Sequence, residues 1–131
     1  MPASRAIAQD DADDDAKFNA KAVLISARLV YLASQSYAGV TPKVLKEKNS
    51  DLRFVGDAAS TGPRVLSVRV VSPKHLRIAV YGIKTCWGVR EKGRQSGVAT
   101  LYARRRGPAA ACTATSFKDG DFREHELVWK R

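Results

Sequence analysis

One long stretch of the sequence, from Gln9 to Ser36, contains neither glycine nor proline, and this limits what the first third of the chain can form. Aspartates crowd its start, at positions 10, 11, 13, 14 and 15. Carboxylates near a helix N-terminus complement its free amide groups and its dipole. Apolar residues then recur at helical spacing as far as Leu32. We therefore expect a helix over 9–38 that ends at Gly39, a residue suited to a left-handed cap.

Two adjacent apolar stripes run along this predicted helix. The first stripe consists of Phe18, Ala22, Ile25, Leu29 and Leu32, and the second of Ala16, Ala20, Val23, Ala27 and Val30. Together they make an apolar face wider than one side of a small core usually requires. Either the helix is simply well buried in its own domain, or it contacts two partners. The sequence leaves open which stripe would then face the rest of the domain.

Beyond the helix, the hydrophobic period changes from helical to alternating. Thr41 and Pro42 are suited to the N-cap and first position of a short helix over 41–48. Alternating residues then predict strands over 65–71, 75–81, 85–89, 97–103 and 124–129. The span 91–96 and the Arg-rich segment that follows Arg104 are predicted to be loops. The first two strands should pair as an antiparallel hairpin across Ser72-Pro73-Lys74.

These elements predict an α+β fold in which the helix covers one face of a small antiparallel sheet. With 131 residues, the chain suits one compact domain, 1–131, with the sheet and a C-terminal loop region over 65–131. The best apolar run, 22–33, is interrupted by Arg28, which is costly at a bilayer centre. We therefore do not expect these residues to span a membrane.

The charge of the chain is high and unevenly distributed. Lys and Arg number 23 against 13 Asp and Glu, which gives a net charge of +10, although residues 1–15 alone are strongly acidic. Basic clusters near Trp87 and Tyr102 include Arg90, Arg94, Arg104, Arg105 and Arg106. Arginines beside aromatic residues are what a surface that follows phosphates and stacks on bases needs. The alternatives are a nucleic-acid-binding module, with weak DNA binding, and a solvated basic face.

No arrangement of residues indicates an enzyme. His75 and His125 are the two histidines, and the spacings of nucleophile elbows, phosphate loops and zinc proteases are not found. Asp119, Asp121 and Glu124 could offer oxygen ligands to calcium, but without the full ligand series of an EF-hand a plain turn is expected. We therefore expect no catalytic residue, metal, cofactor or small-molecule substrate.

The two cysteines, Cys86 and Cys112, are too far apart in sequence for a redox or zinc-binding pair. They are either two reduced, buried thiols or a single disulfide that ties down the segment between them. A disulfide would imply an oxidising compartment. It would stabilise the fold by roughly 3.5 kcal/mol through loop closure.

Three groups of residues together resemble the type IV pilin and pseudopilin family over most of the chain. The first is the acidic helix opening, Gln9-Asp10-Asp11-Ala12-Asp13 and Asp15-Ala16-Lys17-Phe18-Asn19-Ala20. The second is Ser36-Tyr37-Ala38-Gly39-Val40-Thr41, which is similar to the stretch that follows this helix in pilins of Gram-positive bacteria. The third is Cys86-Trp87 followed by a Gly-containing loop, a Tyr-bearing strand and Cys112.

This resemblance implies a pilin-like headgroup, in which a long N-terminal helix packs on an antiparallel sheet of about four strands and Cys86 and Cys112 staple the C-terminal region. Its function would be that of a structural subunit of an extracellular pilus or pseudopilus, which serves adhesion, motility, secretion or DNA uptake. The partners would be other pilin subunits, which pack helix on helix. The assembly face would be the stripe of Phe18, Ala22, Ile25, Leu29 and Leu32.

The family also carries a basic leader, a cleavage site and about twenty apolar residues ahead of the headgroup, and this sequence does not contain them. The resemblance therefore implies a cell-surface protein that is anchored in the membrane before assembly only through that missing segment. Without it, the chain is expected to be a soluble monomer.

Overall fold

The computed structural model describes residues 2–94 and 97–129, which form an α+β fold with an N-terminal helix on a five-stranded mixed sheet. The helices and strands, in chain order, are α1 Pro2–Ser34, α2 Pro42–Lys48, β1 Arg53–Val55, β2 Val65–Ser72, β3 His75–Tyr81, β4 Thr85–Arg94, β5 Gly97–Arg106 and α3 His125–Val128. Short 3₁₀ turns lie at Ala109–Ala111 and Asp119–Asp121. Within these described ranges, no helix is long and apolar enough to cross a membrane.

The sheet has five strands in the order β1-β2-β3-β4-β5, whereas the resemblance implies about four. The predicted β2–β3 hairpin is present and antiparallel, and β4 and β5 continue the antiparallel pattern. The additional strand, β1, pairs in parallel with β2, with Arg53 opposite Val65. A strand of three residues is too short to show alternation, which is why the sequence pattern does not reveal it.

Strands β4 and β5 both extend through segments that the sequence analysis assigns to loops. Residues 91–94 belong to β4, and residues 104–106 belong to β5. The rest of the predicted loop, Gln95 and Ser96, lies outside the described residues. Charged residues do not end these strands, because side chains alternate between the two faces: Glu91 finds partners on the helix side, while Arg104, Arg105 and Arg106 are exposed.

Helix α1 differs from its predicted bounds at both ends. It is helical from Pro2, so the aspartates lie within the helix and do not open it. It ends at Ser34, and Gln35, with φ of 59°, takes the left-handed conformation expected of Gly39. The early end lets Tyr37 turn into the core, where its ring stacks on Tyr31 with centroids 4.6 Å apart.

Two shorter predicted segments have different outcomes. Helix α2 lies where the sequence predicts it, with the Thr41 hydroxyl accepting a hydrogen bond from the Val44 amide. The predicted strand over 124–129 is wrong, because residues 125–128 form α3. Among the described residues, the strand-like pairing with β5 here is a single antiparallel bridge between Tyr102 and Arg123, just before this segment. Trp129 is buried and Leu127 is exposed, so the two do not share the predicted face.

The main core lies between α1 and the sheet, and the second stripe of α1 faces it. Ala16, Ala20, Val23 and Ala27 are fully buried. They pack against the apolar side chains of the central strands, which are Leu76, Ile78, Val80, Trp87 and Val89. The alanines bring the helix backbone close to the sheet, because a small side chain leaves little volume between the two layers.

A second cluster lies on the opposite face of the sheet, where Cys86 and Cys112 form the disulfide that the resemblance implies. The bridge joins β4 to the end of the 3₁₀ turn that follows β5. Phe117 and Phe122 pack in the same cluster and cover the sheet where no helix does. The disulfide is compatible with an extracellular or periplasmic location.

Candidate assembly face on the N-terminal helix

The first stripe of α1 points away from the sheet. Phe18 is 71% exposed, Ile25 59%, Leu29 55% and Leu32 63%, and Ala22 between them is partly buried. These four account for most of the exposed large apolar side chains among the described residues; the others are Val71, Ile83 and Leu127. From Phe18 to Leu32 the stripe is about 21 Å long, at 1.5 Å per residue.

The spacing of this stripe is that of a helix–helix interface. The five residues Phe18, Ala22, Ile25, Leu29 and Leu32, here called the apolar seam, are separated by alternating steps of four and three. That pattern has a mean period of 3.5 residues, the period at which two helices bury a shared seam by inserting side chains between one another. The seam therefore suits a partner helix.

A buried carboxylate fixes the rotation of α1 that leaves the seam outside. Glu91 of β4 is fully buried on the helix side of the sheet. Its oxygens accept hydrogen bonds from Arg28 Nε at 3.1 Å and from the Tyr37 hydroxyl at 2.7 Å. A charge buried in this way must keep its partners, since an unpaired buried carboxylate is very costly. Rotating α1 to bury the seam would break the contact between Arg28 and Glu91.

Tyr37 remains a hydrogen-bond donor in this network. Burial, followed by the hydrogen bond to Glu91, raises the pKa of the Tyr37 hydroxyl. The phenol therefore stays protonated and donates to the carboxylate. The same hydrogen bond, from Tyr37 to Glu91, holds the segment after α1 against the core.

Polar contacts also attach the N-terminal half of α1 to the sheet. Asp13 Oδ1 accepts hydrogen bonds from the Ile83 amide and from Trp87 Nε1, both at 3.0 Å. Asn19 donates to the Pro63 carbonyl at 2.8 Å. With Arg28 further along, α1 is anchored at several points on one side only. The seam therefore lies on the side of the helix that has no anchor.

The arginines predicted to contact a polyanion do not form one surface. Arg104 lies opposite Trp87 and Arg106 opposite Thr85 in the β4–β5 ladder, on the helix side of the sheet. Arg90 and Arg105 point to the other face, because neighbouring strand residues alternate. The side chain of Arg94 is not among those that the structure describes.

On the disulfide face, the arginines hold the C-terminal segment against the sheet. Arg90 lies over the Phe122 ring at 5.5 Å and bonds Asp119 at 3.4 Å. Arg105 lies over Phe117 at 5.0 Å and donates to the Ser116 carbonyl at 3.1 Å. These guanidinium groups are therefore already engaged within the domain.

The aromatic residues near the arginines are engaged as well. Trp87 is only 6% exposed, and Tyr102 packs on Trp129 with ring centroids 4.8 Å apart. A base needs an exposed ring on which to stack. The combination of basic and aromatic residues in the sequence therefore does not produce an open stacking platform.

The residues considered for chemistry have structural contacts. Burial, then Arg77, lowers the pKa of His75, whose Nε2 accepts a hydrogen bond from Arg77 Nε. Arg77 also lowers the pKa of Asp119, with which it forms an ion pair.

In the part of the chain that the structure describes, no three metal-binding side chains come together. His125 lies edge-on to the Tyr102 ring at 5.0 Å.

The role of Glu91 in positioning α1 is not predicted from the sequence, because the predicted loop over 91–96 includes Glu91. A signal was present, since Trp87, Val89 and Glu91 continue one alternating face of β4. An acidic residue in that pattern opposite Arg28 would have indicated a buried pair.

Comparison of this chain with protein-family models, with curated proteins and with solved structures gives no match.

Proposed function

We propose that this chain is the headgroup of a filament subunit of the type IV pilus or pseudopilus kind, located outside the cytoplasm. The observation that carries the proposal is the apolar seam: α1 packs on the sheet with one side and leaves a heptad-spaced apolar stripe exposed on the other. A filament whose core is made of packed helices requires a helix of this kind. The disulfide is consistent with the proposed location.

The proposed partner on the seam is a second copy of the chain. Complete burial of a Phe, Ile or Leu side chain is worth about 1.5–3 kcal/mol, so four such side chains offer a large gain to a helix that covers them. Another copy presents the same seam with the same period, and can therefore interlock with it. The acidic opening of the helix and the segment 36–41 support the same family on the basis of their sequence.

A nucleic-acid-binding module, the alternative from the sequence, has less support. Four of the arginines predicted to contact a polyanion have described side chains, and two of them, Arg90 and Arg105, are engaged on the disulfide face. The neighbouring aromatic rings are packed within the domain. A surface that tracks a nucleic-acid backbone needs its cations on one continuous groove.

Photo-crosslinking in the natural host tests the proposed function. A photoreactive amino acid at Ile25 should cross-link the protein into dimers and larger multiples of itself. The matched control places the same amino acid at Glu47, an exposed position on α2, where such a ladder is not expected. No self-cross-link at Ile25, or equal cross-linking at Glu47, would contradict the proposal.

The N-terminus of the mature protein isolated from its natural source provides a second test. Mass spectrometry should find about twenty apolar residues ahead of Ala3, enough to span a bilayer as a helix. A mature protein that begins at Met1 would remove the membrane-anchored stage from the proposal.

A further inference from the structure

A cavity of about 620 Å³ lies where the β3–β4 turn, the end of β5 and α1 meet. Its wall is formed by Asp13, Ile83, Lys84, Thr85, Trp87, Arg104, Arg105 and Arg106, and we call it the basic pocket. It is separate from the apolar seam and has no part in the proposed assembly. Its volume is within the range of small-ligand sites.

Three of the four cationic residues in the wall of the basic pocket have no ion-pair partner among the described residues. The side chains of Lys84, Arg104 and Arg106 are exposed, and none forms an ion pair within residues 2–94 and 97–129. The one carboxylate in the wall, Asp13, already accepts two hydrogen bonds, from the Ile83 amide and from Trp87 Nε1. The pocket therefore has a net positive charge that the described side chains do not neutralise.

Lys84, in the wall of the basic pocket, has a strained backbone conformation. Lys84 has φ of 56°, in the left-handed region that glycine or asparagine usually occupies. Its carbonyl accepts a hydrogen bond from the Gly107 amide at 3.0 Å, which helps to hold the conformation. Strained residues concentrate at functional sites. A glycine here would remove the strain, but it would also remove the ammonium group from the pocket.

The two arginines are arranged to bind one compact oxyanion. Arg104 and Arg106 are two residues apart on β5, so they point to the same face about 6.6 Å apart along the strand. Guanidinium groups bind phosphate oxygens through paired hydrogen bonds, and Lys binds as a point charge. The Thr85 hydroxyl lies opposite Arg106 in the β4–β5 ladder and adds a neutral donor.

We propose that the basic pocket binds a phosphate-bearing anion, as a single phosphate or diphosphate group. Lys84, Arg104 and Arg106 around one cavity balance the two or three negative charges of such a group. A nucleic-acid strand fits less well, because the guanidinium groups of Arg90 and Arg105 are engaged with Phe122 and Phe117 on the other face of the sheet. The inference does not depend on the proposed filament.

Calorimetric titration with sodium pyrophosphate at low ionic strength tests the inference. We expect saturable binding with one site per chain. The double substitution Arg104→Ser/Arg106→Ser should weaken it by about tenfold or more, because it removes the charge-assisted hydrogen bonds of both guanidinium groups. The matched control is Lys43→Ser/Lys48→Ser, which removes the same charge from exposed positions of α2 and should change the affinity little.

Nuclear magnetic resonance locates the bound anion. The indole N–H of Trp87 borders the pocket, and its signal should shift as pyrophosphate saturates the site. The loss of this shift in the Arg104→Ser/Arg106→Ser variant, with the spectrum of a folded protein otherwise retained, would support the assignment.

Three outcomes would overturn the inference. The first is no saturable binding of pyrophosphate, and the second is equal weakening in the lysine control, which would indicate a general effect of net charge. The third is tighter binding of a DNA duplex that lacks terminal phosphates, with the same dependence on Arg104 and Arg106, which would assign the pocket to a nucleic-acid backbone. Each of these results is independent of cross-linking at Ile25.

Discussion

The two sides of α1 differ in a way that hydrophobicity alone does not predict. The side against the sheet carries small residues, Ala16, Ala20 and Ala27, all fully buried. The outer side carries Phe18 and Leu32, more than 60% exposed. Within the two apolar stripes, the larger side chains therefore lie in solvent and the alanines in the core, where the helix also buries Leu24 and Tyr31. The comparison shows that close approach at the alanines and the position of the polar anchors, and not hydrophobicity alone, decide which face of an apolar helix packs on its own domain.

The anchors follow the same division. Asp13, Asn19 and Arg28 all bond to the sheet or to the loop that precedes β2. A helix with close-fitting alanines and three polar anchors on one side has a single stable orientation. Its outer side is then available to a partner. The following predictions test the two sides of α1 and its C-terminal end.

The largest effect is expected on the sheet side, from Glu91→Ala. Removing the carboxylate leaves Arg28 and Tyr37 without their buried partner, which should lower the free energy of unfolding by about 3 kcal/mol. Urea denaturation followed by circular dichroism measures this. Glu47→Ala, at an exposed site, should stay within about 0.5 kcal/mol of the original protein. A similar loss in both variants would show that Glu91 does not anchor α1.

Close packing of the alanines predicts the next effect. Ala20→Leu inserts a large side chain where the helix contacts the sheet, which should cost about 1–3 kcal/mol through overpacking. Ala33→Leu makes the same change at an exposed position of α1 and should leave stability within about 0.5 kcal/mol. If thermal unfolding gives equal melting temperatures for the two variants, α1 does not approach the sheet as closely as described.

The end of α1 predicts a smaller effect, of opposite sign. Gln35→Gly relieves the left-handed conformation at φ of 59° and should raise the free energy of unfolding by about 0.5–1 kcal/mol. Gln35→Ala keeps the steric cost and should change stability much less. A loss of stability in the glycine variant, measured by urea denaturation, would show that the helix does not end there.

The smallest effect on the folded chain is expected on the outer side. Ile25→Ser/Leu29→Ser changes residues that are already more than half exposed, so the stability of the monomer should change by less than about 1 kcal/mol in total. The same variant should abolish the self-cross-linking expected of the seam in the natural host. A large loss of monomer stability would mean that these side chains pack within the domain.

Much of the fold could be predicted, because the relevant signals are local. The spacing of apolar residues reveals α1 and the β2–β3 hairpin, and Thr41-Pro42 reveals the start of α2. The end of the chain was predicted less well. Leu127 and Trp129 have the spacing of a strand, yet residues 125–128 form a helix that places the Trp129 indole against the Ala103 carbonyl at 2.9 Å. A short segment follows its tertiary contacts more than its own pattern.

The candidate site was predictable in its residues but not in its orientation. The seam was identified from sequence as one of two stripes, and nothing local distinguishes the stripe that packs on the sheet. The charge clusters were visible too, but β5 separates Arg104 and Arg106 from Arg105 by alternation. The alternation of Trp87, Val89 and Glu91 indicates that Glu91 faces the core, but its partners Arg28 and Tyr37, and the strain at Lys84, are seen only in the folded chain.

The sequence by itself determined that this chain has a long helix with two apolar stripes, a largely antiparallel sheet and an excess of positive charge. Those properties depend on spacing and composition, which are contained in the order of the residues. Only the tertiary structure decided which stripe is buried, where α1 ends, and which arginines remain unpaired around one pocket. These depend on contacts between residues far apart in sequence, such as Arg28 with Glu91 and Asp13 with Trp87, whose energies exist only once the helix lies on the sheet.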